Sequence, residues 1–464
     1  MSITLMLISF IFALIPLVII HELGHFFAAK SVGITVLEFG IGFPPKAATL
    51  FVKGDTEYTL NWLPLGGFVR PYGEDFVAPQ SPEVAQAALA EIEGRKIENP
   101  KSVFEAGPWE RIWFFIAGPL FNFIAAFLIF VLIGFTGIPE TVAEVSVAEV
   151  FSGSSAEAAG LRPGDVITHV DNERVERVSQ FEEATRGKEQ YTLTIKRDKE
   201  IIDDVLVKPM PFAAEGIESR VLILDVLEDS PADQAGLLPD DVVLAVDGEP
   251  VKDINFLSDY TDAREGQPIV FTVARGDETF ELTITPEKID GDVRVGITIA
   301  AAPLDDTLGA VLANRDAKTI TRTAGAGEAL SYGATMFWRT ISLMASFPSQ
   351  LISGELSAQE ARPVSPVGVS QIGGQVLEQS IEESVVYPFL GFMALISIAL
   401  AVTNLLPIPG LDGGRILFVV IELLRGKPME PEREGVVHII GLLFLLSLMA
   451  IVVVMDIINP ITLN

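Results

Sequence analysis

The run His21-Glu22-Leu23-Gly24-His25 holds two imidazoles and a carboxylate at a spacing that can do chemistry. Histidines at i and i+4 lie on one face of a helix, so both can turn a nitrogen to a single metal ion, with Glu22 beside a water on that ion. The run closes an apolar helical pattern, where ionisable side chains are costly to hold and are read as functional. A catalytic zinc site takes three protein ligands and leaves one position open, so a third ligand must come from elsewhere. The chain has no cysteine, which leaves only His and carboxylates. His169 sits in an acidic stretch, and His438 heads a late apolar segment without a pattern of partners; both read as structural. Asp412 is better placed, in Asn404-Leu405-Leu406-Pro407-Ile408-Pro409-Gly410-Leu411-Asp412-Gly413-Gly414. Its prolines and glycines forbid a regular helix and let the carboxylate turn inward.

The elements that must position these residues are membrane helices. A spanning helix needs about 20 apolar residues, and four segments qualify: 3–29, 109–135, 385–406 and 436–458. The first has no basic leader and no small-residue cleavage site, so it reads as a retained helix. Arg415, Arg425, Lys427 and Arg433 cluster between the third and fourth segments, which places that short loop on the cytoplasmic side. Alternation then puts both termini outside and residues 30–108 inside. Helices one and three run the same way, so His21, His25 and Asp412 fall at one depth, towards the cytoplasm.

Residues 138–384 carry 20 Lys+Arg against 44 Asp+Glu, most of a formal charge of −30. Such an insert is a solvated acidic module outside the membrane, and it excludes nucleic acid as a partner. Inside it, Ala159-Gly160-Leu161-Arg162-Pro163-Gly164-Asp165-Val166 returns 76 residues later as Ala235-Gly236-Leu237-Leu238-Pro239-Asp240-Asp241-Val242. Both copies continue into alternating strand patterns, so two small β-rich domains stand in tandem. Residues 39–73 alternate as a hairpin, either an ordinary one on the cytosolic side or one at or in the membrane, where non-helical backbone is tolerated only if buried or lining a wet cavity. Residues 81–101 read as a loop with some helix, and 324–356 as an amphipathic helix.

Together these features resemble the site-2 protease family of intramembrane zinc metalloproteases, in its bacterial RseP type. The resemblance rests on His21-Glu22-x-x-His25, on Gly118-Pro119-Leu120-Phe121-Asn122-Phe123 in the second helix, on the tandem repeat as PDZ domains, and on Asn404-x-x-Pro407-x-Pro409-x-Leu411-Asp412-Gly413. It implies Zn²⁺ held by His21, His25 and Asp412, Glu22 as general base, and Asn404 contacting substrate or stabilising the reacting carbonyl. Pro407, Pro409 and Asn122 are further candidate substrate contacts. The implied substrates are single-span membrane proteins, such as an anti-sigma factor or a remnant signal peptide, cut after an earlier external cleavage. The implied place is the inner (cytoplasmic) membrane. The PDZ domains would exclude bulky substrates or take an extended peptide or chain terminus. A helix-borne peptide bond is shielded by its own hydrogen bonds, so the hairpin is expected to hold the substrate extended.

The expected fold is therefore membrane α-helical with four transmembrane helices, a membrane-associated β-hairpin or sheet, and two extracytoplasmic β-rich PDZ domains. The expected division is helix one at 1–37, hairpin region at 38–107, helix two at 108–137, first PDZ domain at 138–212 and second at 213–302. A helical or extended linker at 303–384, helix three at 385–414, and a loop with helix four at 415–464 follow. A scaffold with a dead site would lack Glu22 or Asp412. A metal transporter would carry acidic or His residues in several apolar helix centres, and a soluble zincin would lack the spans.

Overall fold

The computed structural model describes residues 3–73, 82–213, 216–276, 278–289, 292–353, 362–427 and 431–461. The chain divides into two compact units, one formed by Met1–Ile138 with Arg322–Asn464 and the other by Pro139–Thr321.

The first unit opens with helix α1 (Ile3–Ser31), which carries a π-helical stretch at Phe10–Leu14. Strands β1 (Val36–Lys53) and β2 (Thr56–Pro71) form an antiparallel hairpin, followed by α2 (Pro82–Arg95) and α3 (Pro108–Thr136). Pro108 starts α3 where a missing N–H costs nothing, and the Gly107 amide donates to Glu110 Oε2 at 2.8 Å. Among the described residues, four helices are long and apolar enough to cross a membrane: Ile3–Ser31, Pro108–Thr136, Tyr387–Asn404 and Glu434–Ile458. They coincide with the four segments read from the sequence to within a few residues.

The hairpin doubles back on itself. Residues 38–41 of β1 pair with 57–60 of β2 on one side and with 67–70 on the other, while 57–60 also pair with 48–52. The stretch 57–60 is thus an inner strand, and 67–71 lies at an edge. Buried Val36, Phe39 and Val69 join Ala29 of α1 and Phe114 and Phe115 of α3 in one core. On the outside of the hairpin, Phe43, Phe51, Val52 and Trp62 are exposed, Trp62 by 70%.

The second unit runs β3 (Ile138–Val150), α4 (Ser155–Ala158), β4 (Val166–Val170), α5 (Val178–Thr185), β5 (Tyr191–Arg197), β6 (Glu200–Val207), β7 (Ser219–Val226), α6 (Pro231–Gln234), β8 (Val242–Val246), α7 (Ile254–Asp262), β9 (Ile269–Arg275), β10 (Glu278–Ile284), β11 (Ile297–Asp305) and β12 (Ala310–Arg322). One sheet joins them in the order β10-β9-β8-β7-β11-β12-β3-β4-β5-β6.

The sequence repeat is a repeat of hydrogen bonds. Ser154 and Ser230 cap their short helices by accepting from Glu157 N and Asp233 N. Asp165 receives the Arg197 guanidinium at 2.7 Å, and Asp241 receives Arg275 at 2.7 Å. Asp171 and Asp247, both at positive φ, accept from Thr192 N and Val270 N at 2.8 Å. Both aspartates of the Asp165 and Asp241 pairs are buried, where a carboxylate persists only when paired.

The boundary expected at 212/213 does not describe the first module. Leu308, Ala310 and Leu312 belong to the core of Val145, Phe181 and Leu193, so the second module is inserted into the first rather than appended to it. Residues 303–384 are accordingly not a linker throughout: their first part is strand. Sequence periodicity could not show this, because a strand supplied from beyond an inserted domain leaves no local signature.

The chain returns to the first unit through α8 (Ala326–Ser353), α9 (Pro366–Glu382), α10 (Tyr387–Asn404), α11 (Asp412–Arg425) and α12 (Pro431–Ile458). Helix α8 packs Tyr332, Met336 and Phe337 on Ala126, Phe130 and Ala394 of α3 and α10. The loop expected after residue 414 is largely a helix, α11, which buries Val419 against Phe114 and Phe115. Its cluster of basic residues drew the sequence reading away from its apolar face.

Candidate metal centre

Helix α1 presents Leu17, His21, Gly24, His25 and Ala28 as one buried stripe. The stripe meets α3 at small residues: a Cβ on Gly24 would stand 2.7 Å from the Ala117 carbonyl carbon, and one on Gly118 would stand 2.8 Å from His21 Nε2 and closer still to His25 Nε2. Glycine at 118 therefore admits both imidazoles against the α3 backbone. Pro119, which ends no helix here, follows within the same turn.

His21 Nε2 and His25 Nε2 stand 3.2 Å apart. Asp412 Oδ2 lies 3.2 Å from the first and 3.4 Å from the second. Zinc bonds of about 2.0–2.1 Å in a tetrahedron set ligand atoms roughly 3.3 Å apart, so this triangle has the dimensions of three corners of a zinc site. Asp412 Oδ2 is buried without a hydrogen-bond partner, a lone pair that a cation would satisfy. Among the described residues, His21, His25 and Asp412 form the group able to hold a metal ion. They fit zinc.

Neighbouring groups set the imidazole tautomers. His25 Nδ1 donates to the Phe114 carbonyl at 2.8 Å, which leaves the Nε2 lone pair facing Asp412. His21 Nδ1 faces the Asn122 amide at 3.5 Å, and Asn122 Oδ1 is buried without a partner. Turning that amide by half a rotation sets Oδ1 opposite His21 Nδ1 to accept its N–H, which frees His21 Nε2 in the same way. Asn122 is fully buried and its own carbonyl accepts from Ser397 Oγ at 2.8 Å. It stands behind His21 rather than on an open face, contrary to its reading as a substrate contact.

Glu22 is half-buried, and its Oε2 accepts from the Val69 amide at 3.0 Å. The edge segment of β2 thus passes directly beside it. Asp412 is the first residue of α11. The expectation of irregular backbone holds for 405–411, after which the helix begins at once. Gly413 and Gly414 are buried, and any side chain there would meet the carbonyls of Leu405, Leu406 and Ile408. Asn404 closes α10 and is half-buried, Pro407 is exposed, and Pro409 packs on Gly441 of α12. Among the described residues, none of the three hydrogen-bonds the cluster. Arg415 lies one turn beyond Asp412, 5.5 Å over the Phe115 ring; desolvation pulls its guanidinium down to about 10 against the pull of Glu434 and Glu22, so it stays cationic at neutral pH.

Gly118, the Phe114 carbonyl and the Val69 amide are parts of the site that the sequence reading does not name. Gly118 carries a signal in the run Gly118-Pro119-Leu120-Phe121-Asn122-Phe123; backbone donors and acceptors have none.

The model of peptidase family M50 matches residues 9–448. Zinc metalloprotease RasP of Geobacillus kaustophilus is 30% identical over 97% of this chain and 97% of its own length. Regulator of sigma-E protease RseP of Escherichia coli is 29% identical over 97% of this chain and 98% of its own. Among solved structures, the PDZ domain of an SdrC-like protein from Listeria monocytogenes is 24% identical, covering 17% of this chain and 86% of that one with a TM-score of 0.17.

Proposed function

This chain belongs to peptidase family M50 and is a zinc metalloprotease of site-2 type; we propose that it cleaves the membrane segments of single-span proteins with His21, His25 and Asp412 as its zinc ligands. The observation that carries the reading is the 3.2–3.4 Å triangle of those three ligand atoms at apolar helices, with Glu22 alongside. When bound, zinc supplies Lewis acidity and a nucleophilic water near neutral pH.

The protein's own groups do the rest. Glu22 accepts a proton and later returns it to the leaving amine, a role that contributes about 10²–10⁴-fold. The Val69 amide holds its carboxylate in place. His25 and His21 keep their Nε2 lone pairs inward through Phe114 O and Asn122. Asn404, at the open end of α10, donates its amide to the reacting carbonyl. The edge of β2 at 67–71 receives the substrate as an added strand, unwound from its helix, beside Glu22. Exposed Phe43, Phe51, Val52 and Trp62 support a hairpin lying in the membrane interface.

The positive charge of Arg415, Arg425 and Lys427 between α10 and α12 favours a site towards the cytoplasm, with Pro139–Thr321 outside, in the inner membrane of a bacterium. In that arrangement the two β-rich modules act as PDZ domains that exclude substrates with bulky external domains, so that cleavage follows an earlier external cut. An anti-sigma factor or a remnant signal peptide fits that requirement.

The test is cleavage of a tagged single-span substrate, trimmed outside the membrane, by wild-type protein and Glu22→Gln, with zinc quantified in both. Loss of cleavage with zinc retained is expected; equal cleavage by both proteins would sink the assignment of Glu22.

A further inference from the structure

We propose that His438, at the head of α12, is a positioning residue that holds the 405–411 turn and thereby aims Asp412 at the metal. The Gly410 amide donates to His438 Nδ1 at 3.0 Å. Nδ1 therefore carries a lone pair and the ring proton sits on Nε2, which is buried without a hydrogen-bond partner and lies 3.9 Å from Glu434 Oε1. The ring is wedged against Phe418 of α11, with centroids 5.1 Å apart. One turn along α12, Gly441 lies against Pro409: a Cβ there would come 2.6 Å from the Pro409 carbonyl carbon. Gly410 has φ +101°, open to glycine alone, and a Cβ on it would meet Leu442 N at 3.0 Å.

The turn is thus clamped between α12 on one side and Gly413 and Gly414 of α11 on the other. Asp412 follows Gly410 by two residues; Leu411 N donates to Ile408 O at 3.1 Å within the turn, and the hydrogen bond from Gly410 to His438 ties that turn to α12. The Gly410 amide is part-buried at this contact, and one that loses its acceptor is left unsatisfied unless the turn shifts to find water. The residue that appeared structural in sequence acts on the chemistry through the backbone of the ligand loop.

This inference rests on Asp412 being a zinc ligand, and the test separates the two. In purified full-length protein, zinc affinity is measured by competition with a chromophoric chelator for wild type, Asp412→Asn, His438→Leu, His438→Asn and Gly441→Ala, and Co²⁺-loaded samples give the visible spectrum of the ligand field. Asp412→Asn must weaken zinc; if it does not, the ligand reading fails whatever His438 does. With that satisfied, His438→Leu is expected to weaken zinc at least tenfold and change the Co²⁺ spectrum. His438→Asn, whose Oδ1 takes the place of Nδ1 as acceptor, is expected to recover most of both. Gly441→Ala is expected to reproduce the loss if His438→Leu does not fold. Unchanged zinc affinity in His438→Leu or Gly441→Ala, or equal loss in His438→Asn and His438→Leu, overturns the proposal.

Discussion

The Val69 amide donates to Glu22 Oε2 at 3.0 Å, which ties the edge of the hairpin to the residue assigned the proton transfers. A donor that points off the sheet edge is not used in the ladder with β1, so removing it costs the hairpin little. Val69→Pro should lower cleavage more than tenfold while the zinc content stays near that of wild type. Wild-type turnover by Val69→Pro in a membrane cleavage assay would show that the contact has no catalytic consequence. Proline at 58–60 tests something else, because those residues are paired on both sides and their loss would unfold the hairpin.

Gly118→Ala places a methyl group where both imidazoles stand. The α3 backbone cannot retreat without opening its contact with α1 at Gly24. Zinc affinity should fall by at least an order of magnitude, read by chelator competition, whereas Gly94→Ala, on α2 with open space around it, should bind as wild type does.

Asn122→Leu leaves His21 Nδ1 facing a methyl group and removes the control of its tautomer. Outer partners of ligating histidines are worth about 10–100-fold in metal affinity or activity. Asn122→Asp, which keeps an acceptor, should stay within a few-fold of wild type in the same titration; a Leu variant equal to the Asp variant would mean that Asn122 only fills space.

Asp456 lies fully buried on α12 and is held by Ser365 N at 2.9 Å and by Ser365 Oγ and Arg362 Nη2 at 2.5 Å. Breaking a buried pair by removing one partner costs about 3–5 kcal/mol. Asp456→Ala should therefore destabilise the protein by about 3 kcal/mol in a denaturant titration, and a change below about 1 kcal/mol would place the pair in water.

Excising the second unit as 139–321 should leave an active protease that no longer discriminates against substrates with large external domains. Excision of 139–300 leaves behind the strand that carries Leu308, Ala310 and Leu312, and such a chain should express poorly. Retained discrimination after the longer excision argues against a size filter.

The four apolar helices, the hairpin and the repeat were legible because each is written in a local period: long apolar runs, alternation by two, and a motif that recurs after 76 residues. His21, Glu22 and His25 were legible for the same reason, since one helix face brings them together. Asp412 was reached only by joining depth along two parallel helices with the proline and glycine pattern around it. The nesting of one β-rich module in the other, the helix at Asp412–Arg425 and the inner place of 57–60 lay beyond local pattern, because each depends on contacts between residues far apart in the chain. So do the Phe114 carbonyl on His25, the Val69 amide on Glu22 and the Gly410 amide on His438. Side-chain type and spacing name the residues able to bind a metal and move a proton. Backbone donors and acceptors carry no residue identity, so only the tertiary structure decides which of them hold those residues in place.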